Sequence, residues 1–239
     1  LYNYDNSKFY NELEKRGFFV ADRSIANHSY TYLSLSSSLN MMYMDWMGSN
    51  NENKKKPRDI GGLIDRNKVA KLLKSHGYKY ITFDSGYSTS SHSYIADLNV
   101  PCAPLSEFDR TLIKTTILDP FFLYGGVRST ILCQFETVGS VAKSGSNFIF
   151  SHIIAPHPPF VFDSHGGEVG MNSGLNPWSD KEAYVQQTKF VNVKVIEMID
   201  AIKEQSKVDP IIIIQSDHGP ASSGTEEMLN ASDVLIKER

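Results

Sequence analysis

The sequence predicts an α/β fold, a three-layer α/β/α sandwich around a mostly parallel central sheet, from three observations. The run Ile211-Ile212-Ile213-Ile214 breaks without a spacer into Gln215-Ser216-Asp217-His218-Gly219. Four β-branched residues in succession suit a strand buried on both faces, as parallel strands are. A second apolar run, over residues 147–154, gives way just as abruptly to Pro156-His157-Pro158. Segments of 3.6-residue periodicity alternate with these runs, which places helices on both faces of the sheet.

In chain order, residues 7–16 predict a helix, with Asn6 or Ser7 as cap, Phe9 and Leu13 on one face and Gly17 as the stop. Residues 18–21 read as a short strand. From Thr31 the apolar positions Leu33, Leu35, Leu39, Met42 and Met44, set among serines, predict a helix ending before Gly48. A polar loop over 48–57 precedes a helix over 65–76, stopped by Gly77, and a strand over 78–83 that ends in Asp84-Ser85-Gly86. Helices are expected over 105–116 and 129–141, then the strand over 147–154. Prolines on both sides of His157 restrict the backbone of the next loop. A Gly- and Asn-rich loop over 164–177 leads to the longest helix, 179–205, and then to the isoleucine strand. No repeat or linker divides the chain, so a single domain over 1–239 is expected.

With 239 residues, 41% of them hydrophobic and 21% charged, the chain is long enough to bury a full core. A net charge of -3 excludes the basic footprint of a nucleic-acid binder. Its one basic cluster, Lys54-Lys55-Lys56 with Arg58, sits in an Asn-rich stretch and reads as a solvated loop. Cys102 and Cys133 are too few for a disulfide framework and are spaced wrongly for a zinc ribbon; one bridge is open to them. No stretch approaches the roughly twenty apolar residues that span a bilayer. The chain opens on Leu1 rather than Met and closes on Asp233-Val234-Leu235-Ile236-Lys237-Glu238-Arg239. Both ends read as cuts through a longer protein.

Three places combine into a chemical site: Asn27-His28-Ser29-Tyr30-Thr31, Pro156-His157-Pro158 and Asp217-His218-Gly219. Each lies where a strand or loop gives way to the next element, so all three can converge on the carboxyl edge of one sheet, where α/β folds bind ligands. Asp217 and His218 offer an oxygen and a nitrogen, half of a Zn²⁺ or Mn²⁺ site; capping a turn is their plainer role. The Thr31 hydroxyl, at the amino end of a helix, faces free N–H groups and becomes a nucleophile if a divalent metal lowers its pKa. The same position suits an ordinary helix cap. His157 can hydrogen-bond a phosphoryl oxygen or protonate a leaving group, or stand as a loop residue. His28, His92, His152 and His165 are expected to be structural or exposed, with a supporting role open, and Asp84 is an accessory carboxylate candidate. Phe160, Phe162 and Trp178 are expected in the core, although they could line a head-group site.

These residues resemble the alkaline phosphatase and sulfatase superfamily, in particular the sulfatase-like branch that includes bacterial phosphoethanolamine transferases and lipoteichoic acid synthases. The T-x-x-S-L start of its nucleophile helix is matched by Thr31-Tyr32-Leu33-Ser34-Leu35. Its His-Pro turn is matched within residues 153–160, and its S-D-H-G strand end by Ser216-Asp217-His218-Gly219. The resemblance implies an alkaline-phosphatase-like fold with Thr31 as nucleophile and metal ligand, Asp217 and His218 as metal ligands, and His157 as a substrate-phosphate contact. It further implies Zn or Mn as cofactor, a covalent enzyme intermediate, and phosphate esters or phosphodiesters with glycan or lipid head groups as substrates. Sulfatases proper carry a C/S-x-P-x-R motif, which this sequence lacks. The resemblance also implies a further metal-binding carboxylate on a first strand, and no such strand precedes Tyr10. The expectation is therefore a catalytic domain without its first strand and carboxyl-terminal part, anchored in the cell membrane through a missing amino-terminal region and lying outside the cytoplasm. The alternatives are a non-catalytic extracytoplasmic binding domain of the same fold and a sulfuric ester hydrolase.

Overall fold

The computed structural model describes residues 3–44, 57–103, 105, 109, 112–113, 115–116, 119–143, 145–169 and 179–219. Its sheet has three parallel strands, β1 (Lys79–Phe83), β2 (Leu98–Val100) and β3 (Asn147–Phe150), in the order β2-β1-β3. Register pairs Ile81 with Leu98 on one side and with Ile149 on the other. Because side chains alternate along a strand, two cores form. Ile81, Phe83 and Val100 pack with Val138 and Ile202 from α5 (Asp119–Val141) and α6 (Lys181–Gln205). Phe148 and Phe150 point the other way, onto Leu35 and Leu39 of α2 (Thr31–Asn40) and Ile64 of α3 (Pro57–Asp65). The result is the expected three-layer α/β/α order, with α4 (Lys68–Ser75) against β1. Among the described residues no helix is long and apolar enough to cross a membrane.

The helix α1 (Ser7–Lys15) lies outside α6, where Arg16 grips Asp200 through Nε at 2.7 Å and Nη2 at 2.8 Å. Cys102 and Cys133 are bonded to each other, tying the end of β2 to α5 across a sequence separation of 31. In the chain-entropy view a loop of that size stabilises the fold by about 3–4 kcal/mol.

Several boundaries differ from expectation. Residues 18–21 form no strand, and Phe19 is 92% exposed, because no neighbouring edge offers this segment hydrogen-bond partners. Helix α2 stops at Asn40, where Met41 turns left-handed with φ 53°, so Met42 and Met44 lie beyond it. The helix expected over 65–76 is α4, which begins only at Lys68, and Asp65 instead ends α3, a helix that was not expected. Asn67 ends one by donating to the Ile64 carbonyl and caps the next by accepting from Ala70 N–H at 2.7 Å. Helix α5 begins ten residues before position 129, and β3 ends at Phe150 rather than 154.

The largest correction concerns 211–214. This run is not a strand buried on both faces: Ile211 is 94% and Ile213 80% exposed, and only Ile212 packs on the sheet core. No strand among the described residues pairs with it. The basic cluster 54–56, most of the loop over 48–57, most of 105–116, the 170–177 part of the Gly-rich loop, Trp178 and the chain end from 220 lie outside the described residues.

Candidate active site

Two of the three sequence segments meet, the start of α2 and the Asp217–His218 segment, and α2 begins the site. Its cap is the extended Tyr30, whose side chain makes no capping bond, so Thr31 is the first helical residue. The Thr31 hydroxyl is therefore not a cap. It lies 3.2 Å from His218 Nε2. Leu33 and Ser34 both donate to the Tyr30 carbonyl, while the N–H groups of Thr31 and Tyr32 have no partner among the described residues. They stay open at the positive end of the helix.

The imidazole of His218 is oriented by its own turn. Nδ1 stands 2.7 Å from the Gly219 carbonyl, which can only accept, so Nδ1 carries the ring proton and Nε2 turns its lone pair toward Thr31. Asp217 Oδ2 lies 3.3 Å from that same Nε2. A carboxylate oxygen and an imidazole lone pair so close together require positive charge between them, either a second ring proton or a cation. The segment is pinned to α2 by Ser34, whose hydroxyl donates to the Asp217 carbonyl at 2.5 Å, and by Gln215, whose amide donates to Ser38 Oγ at 3.4 Å.

His157 arrives on the loop after β3, whose Ala155–Pro156 and Pro158–Pro159 peptides are cis. Its Nδ1 donates to the Pro158 carbonyl. The loop is held from below by Gln187 of α6, which is fully buried. Gln187 Oε1 accepts from Val161 N–H at 2.7 Å and Phe162 N–H at 3.3 Å, and its Nε2 donates to the His157 carbonyl at 3.2 Å. Beyond it Phe160 and Phe162 are core, as expected, and the Arg128 guanidinium lies 4.6 Å over the Phe162 ring. The loop then turns tightly at Gly166, φ +84°, where a Cβ would stand 2.5 Å from the Phe190 ring. Asp163 fixes that turn, and the N–H groups of Gly167 and His165 hold its carboxyl below the usual carboxylate range.

Two other candidates resolve differently. Asp84 Oδ1 accepts from Gly86 N–H at 2.9 Å and closes its own turn. His152, expected to be structural or exposed, lies close enough to the site to feel it. Burial lowers its pKa to about 4, the Asp217 charge opposes that shift, and His157 and His218 add to it. Ser34, Gln187 and Gln134 were missed by sequence reasoning. Gln134 bridges the ends of β1 and β3 through the Asp84 carbonyl and the Ser151 hydroxyl. Each glutamine is a polar residue on an apolar helix face, Gln187 between Tyr184 and Phe190 and Gln134 between Ile131 and Val138, and that misfit is the signal that could have found it.

A protein-family model described as Sulfatase matches residues 2–234. The chain belongs to the sulfatase family. No curated protein and no solved structure matches it. Membership places the chain in the alkaline phosphatase superfamily, among enzymes of the sulfatase and phosphatase type that act on esters and typically bind a divalent metal. The parallel sheet and its two helix layers agree with that fold.

The residues of this sulfatase-family site fit such a metal in kind and spacing. Ligands about 2.0–2.1 Å from a tetrahedral ion stand about 3.3 Å apart, close to the 3.2 and 3.3 Å that separate Thr31 Oγ1 and Asp217 Oδ2 from His218 Nε2. The lone pair and carboxylate oxygen that face each other are what a cation would reconcile. Among the described residues no group of three His, Cys, Asp or Glu side chains gathers at one point, so a third donor beside Asp217 and His218 would have to be of another type, such as the threonine oxygen. A concavity of about 260 Å³ lies at the other end of α2, lined by Asn27, Ser37 and Tyr43 among others.

Proposed function

We propose that this sulfatase-family chain transfers or hydrolyses phosphate esters or phosphodiesters through a covalent intermediate on Thr31. The observation that carries the reading is the contact of the Thr31 hydroxyl with an imidazole nitrogen that an Asp217 carboxylate oxygen also faces. Asp217, His218 and Thr31 would hold a divalent ion, Zn²⁺ or Mn²⁺, which when bound lowers the pKa of the threonine hydroxyl and offsets phosphoryl charge. Thr31 attacks phosphorus as the ester oxygen departs, so that a Thr–O–P bond forms while the P–O bond to the leaving group breaks. His157, fixed by Gln187, hydrogen-bonds a phosphoryl oxygen or returns a proton to the leaving oxygen. Water or an acceptor hydroxyl then attacks the phosphothreonine and frees Thr31.

Phosphorus is favoured over sulfur by the state of the cysteines. Cys102 is the only cysteine with a proline two residues on, but Ser106 stands where the sulfatase motif needs arginine, and the thiol is bonded to Cys133. The same disulfide supports a position outside the cytoplasm, since such bonds persist in oxidising compartments. Paired aryl phosphate and aryl sulfate substrates test the reading on protein supplied with Zn²⁺ or Mn²⁺. Phosphate turnover is expected, with Thr31→Ala lowering kcat by at least about 10³-fold at unchanged circular dichroism. Full activity in Thr31→Ala refutes the mechanism, faster sulfate cleavage reassigns the substrate, and no turnover with no bound metal marks a binding domain.

A further inference from the structure

The Asp217–His218 segment lies along one face of α2. Thr31, Ser34 and Ser38 stand at i, i+3 and i+7, neighbouring positions on a helix surface. They meet His218, the Asp217 carbonyl and Gln215 in turn, so the segment runs antiparallel to the helix. The middle contact is the unusual one. A serine hydroxyl inside a helix can back-bond to the carbonyl four residues earlier, here that of Tyr30. Ser34 instead directs its one proton out of the helix, to Asp217. A second acceptor outside the helix stands beside it: Asn27 Oδ1, 3.1 Å from Ser34 Oγ. Asn27 belongs to the loop before α2 and is exposed as a residue, yet both ends of its amide are engaged. Its Nδ2 donates to Ser37 Oγ at 2.5 Å, and Ser37 donates its own single proton to the Met42 carbonyl at 2.5 Å. Ser37 can therefore only accept from the amide, which fixes the end of Asn27 that faces Ser34. Ser34 and Ser37 are 2% and 3% exposed, and hydrogen bonds shielded from water hold their directions strongly.

We propose that Asn27 is a positioning residue of this site: its amide, anchored on Ser37, keeps the Ser34 hydroxyl turned toward the Asp217 carbonyl and so registers the Asp217–His218 segment against Thr31. The functional weight of this role rests on the reading above, in which Asp217, His218 and Thr31 hold a metal. Without the amide, Ser34 is free to rotate back to the Tyr30 carbonyl, and the backbone of a metal ligand loses its tether. The same amide ties the loop that delivers Thr31 to the helix that Thr31 begins, since Asn27 spans from four residues before Thr31 to Ser37, two turns into α2. One side chain thus holds both the approach to the nucleophile and the support of its partners.

The carbonyl carbon of Asp217 reports the contact in metal-free protein, because a hydrogen bond to the oxygen deshields the carbon. Ser34→Ala is expected to move this ¹³C resonance upfield and Asn27→Ala to move it the same way; an Asp217 resonance unmoved in Asn27→Ala overturns the proposal. Titration calorimetry with Zn²⁺ then reads the ligand segment. Asn27→Ala should weaken Zn²⁺ binding about fivefold, but by less than about twofold when Ser34→Ala is already present. Losses that multiply in the double variant show Asn27 acting by another route and contradict the assignment. Ser37→Ala leaves Ser34 and Asp217 intact but removes the anchor of the amide, and should weaken Zn²⁺ binding about threefold; wild-type affinity there refutes the anchoring role. The two readings fail separately. A wild type that binds no Zn²⁺ removes the metal site and leaves the Asp217 resonance to decide this inference, while an unmoved resonance removes the role of Asn27 and leaves Thr31 untouched.

Discussion

The loop that carries His157 is braced by buried amide bonds, the segment that carries Asp217 and His218 by hydroxyls of α2. Gln187 makes three hydrogen bonds to the first from inside the core. The second leaves Ile211 and Ile213 in solvent, pairs with no described strand, and is tied to α2 through Thr31, Ser34 and Ser38. The contrast teaches where preorganisation resides. The His157 arm is braced because unpaired backbone groups in a dry core are costly, whereas the Asp217–His218 arm takes its position from α2.

That contrast can be broken from the rigid side first. Gln187→Leu keeps the volume but strands Val161 N–H, Phe162 N–H and the His157 carbonyl, and should destabilise the fold by about 3 kcal/mol. Urea denaturation reads the loss. Phosphate turnover should fall with it, while metal affinity should hold, since Asp217 and His218 do not lean on Gln187.

His152, which both arms influence, sharpens the comparison through pH. Its folded pKa of about 4 lies below the ordinary histidine value of 6.5. The unfolded chain therefore binds more protons between those values, and stability contributed by the neutral buried ring is present above pH 6.5 and lost as pH falls toward 4. The loss at the acid end is roughly 3 kcal/mol at most. Subtracting the stability profile of His152→Gln from that of the wild type should isolate a slope in that window, and superimposable profiles would contradict it.

The smallest effect belongs to the hydroxyl tether. Ser34→Ala should cost about 1 kcal/mol of stability, yet should weaken metal binding by about tenfold, because it frees the backbone of a ligand. Isothermal titration with Zn²⁺ separates the two. Equal metal affinity in Ser34→Ala and wild type would show that the second arm is positioned by something other than α2.

The layers and the site were legible in the sequence to different depths. Strand β1 and helix α6 stood out because their apolar residues repeat at the period of the element, Thr31 because a hydroxyl opens a predicted helix, and Asp217 and His218 because they follow the abrupt end of an apolar run. The isoleucine run misled: four β-branched residues announce an extended chain, but burial on both faces needs neighbours that composition does not reveal, and only Ile212 finds one. Residues 18–21 failed for the same reason. Helix α3 was missed, with its two consecutive glycines, Gly61 and Gly62, set against a helix, and α4 was started two residues early because its cap, Asn67, is what sets its first turn. Ser34 stood in the sequence only as a position of the T-x-x-S-L match, and tertiary contact with the Asp217 carbonyl was needed to show what its hydroxyl does.

The central claim is that Thr31, Asp217 and His218 share one divalent cation. Diffraction from crystals grown with Zn²⁺ or Mn²⁺, recorded at the metal's absorption edge, tests it most directly. The expected result is a single anomalous peak about 2.0–2.2 Å from Thr31 Oγ1, an Asp217 carboxylate oxygen and His218 Nε2. A peak bound only elsewhere, or none at saturating metal, would contradict it.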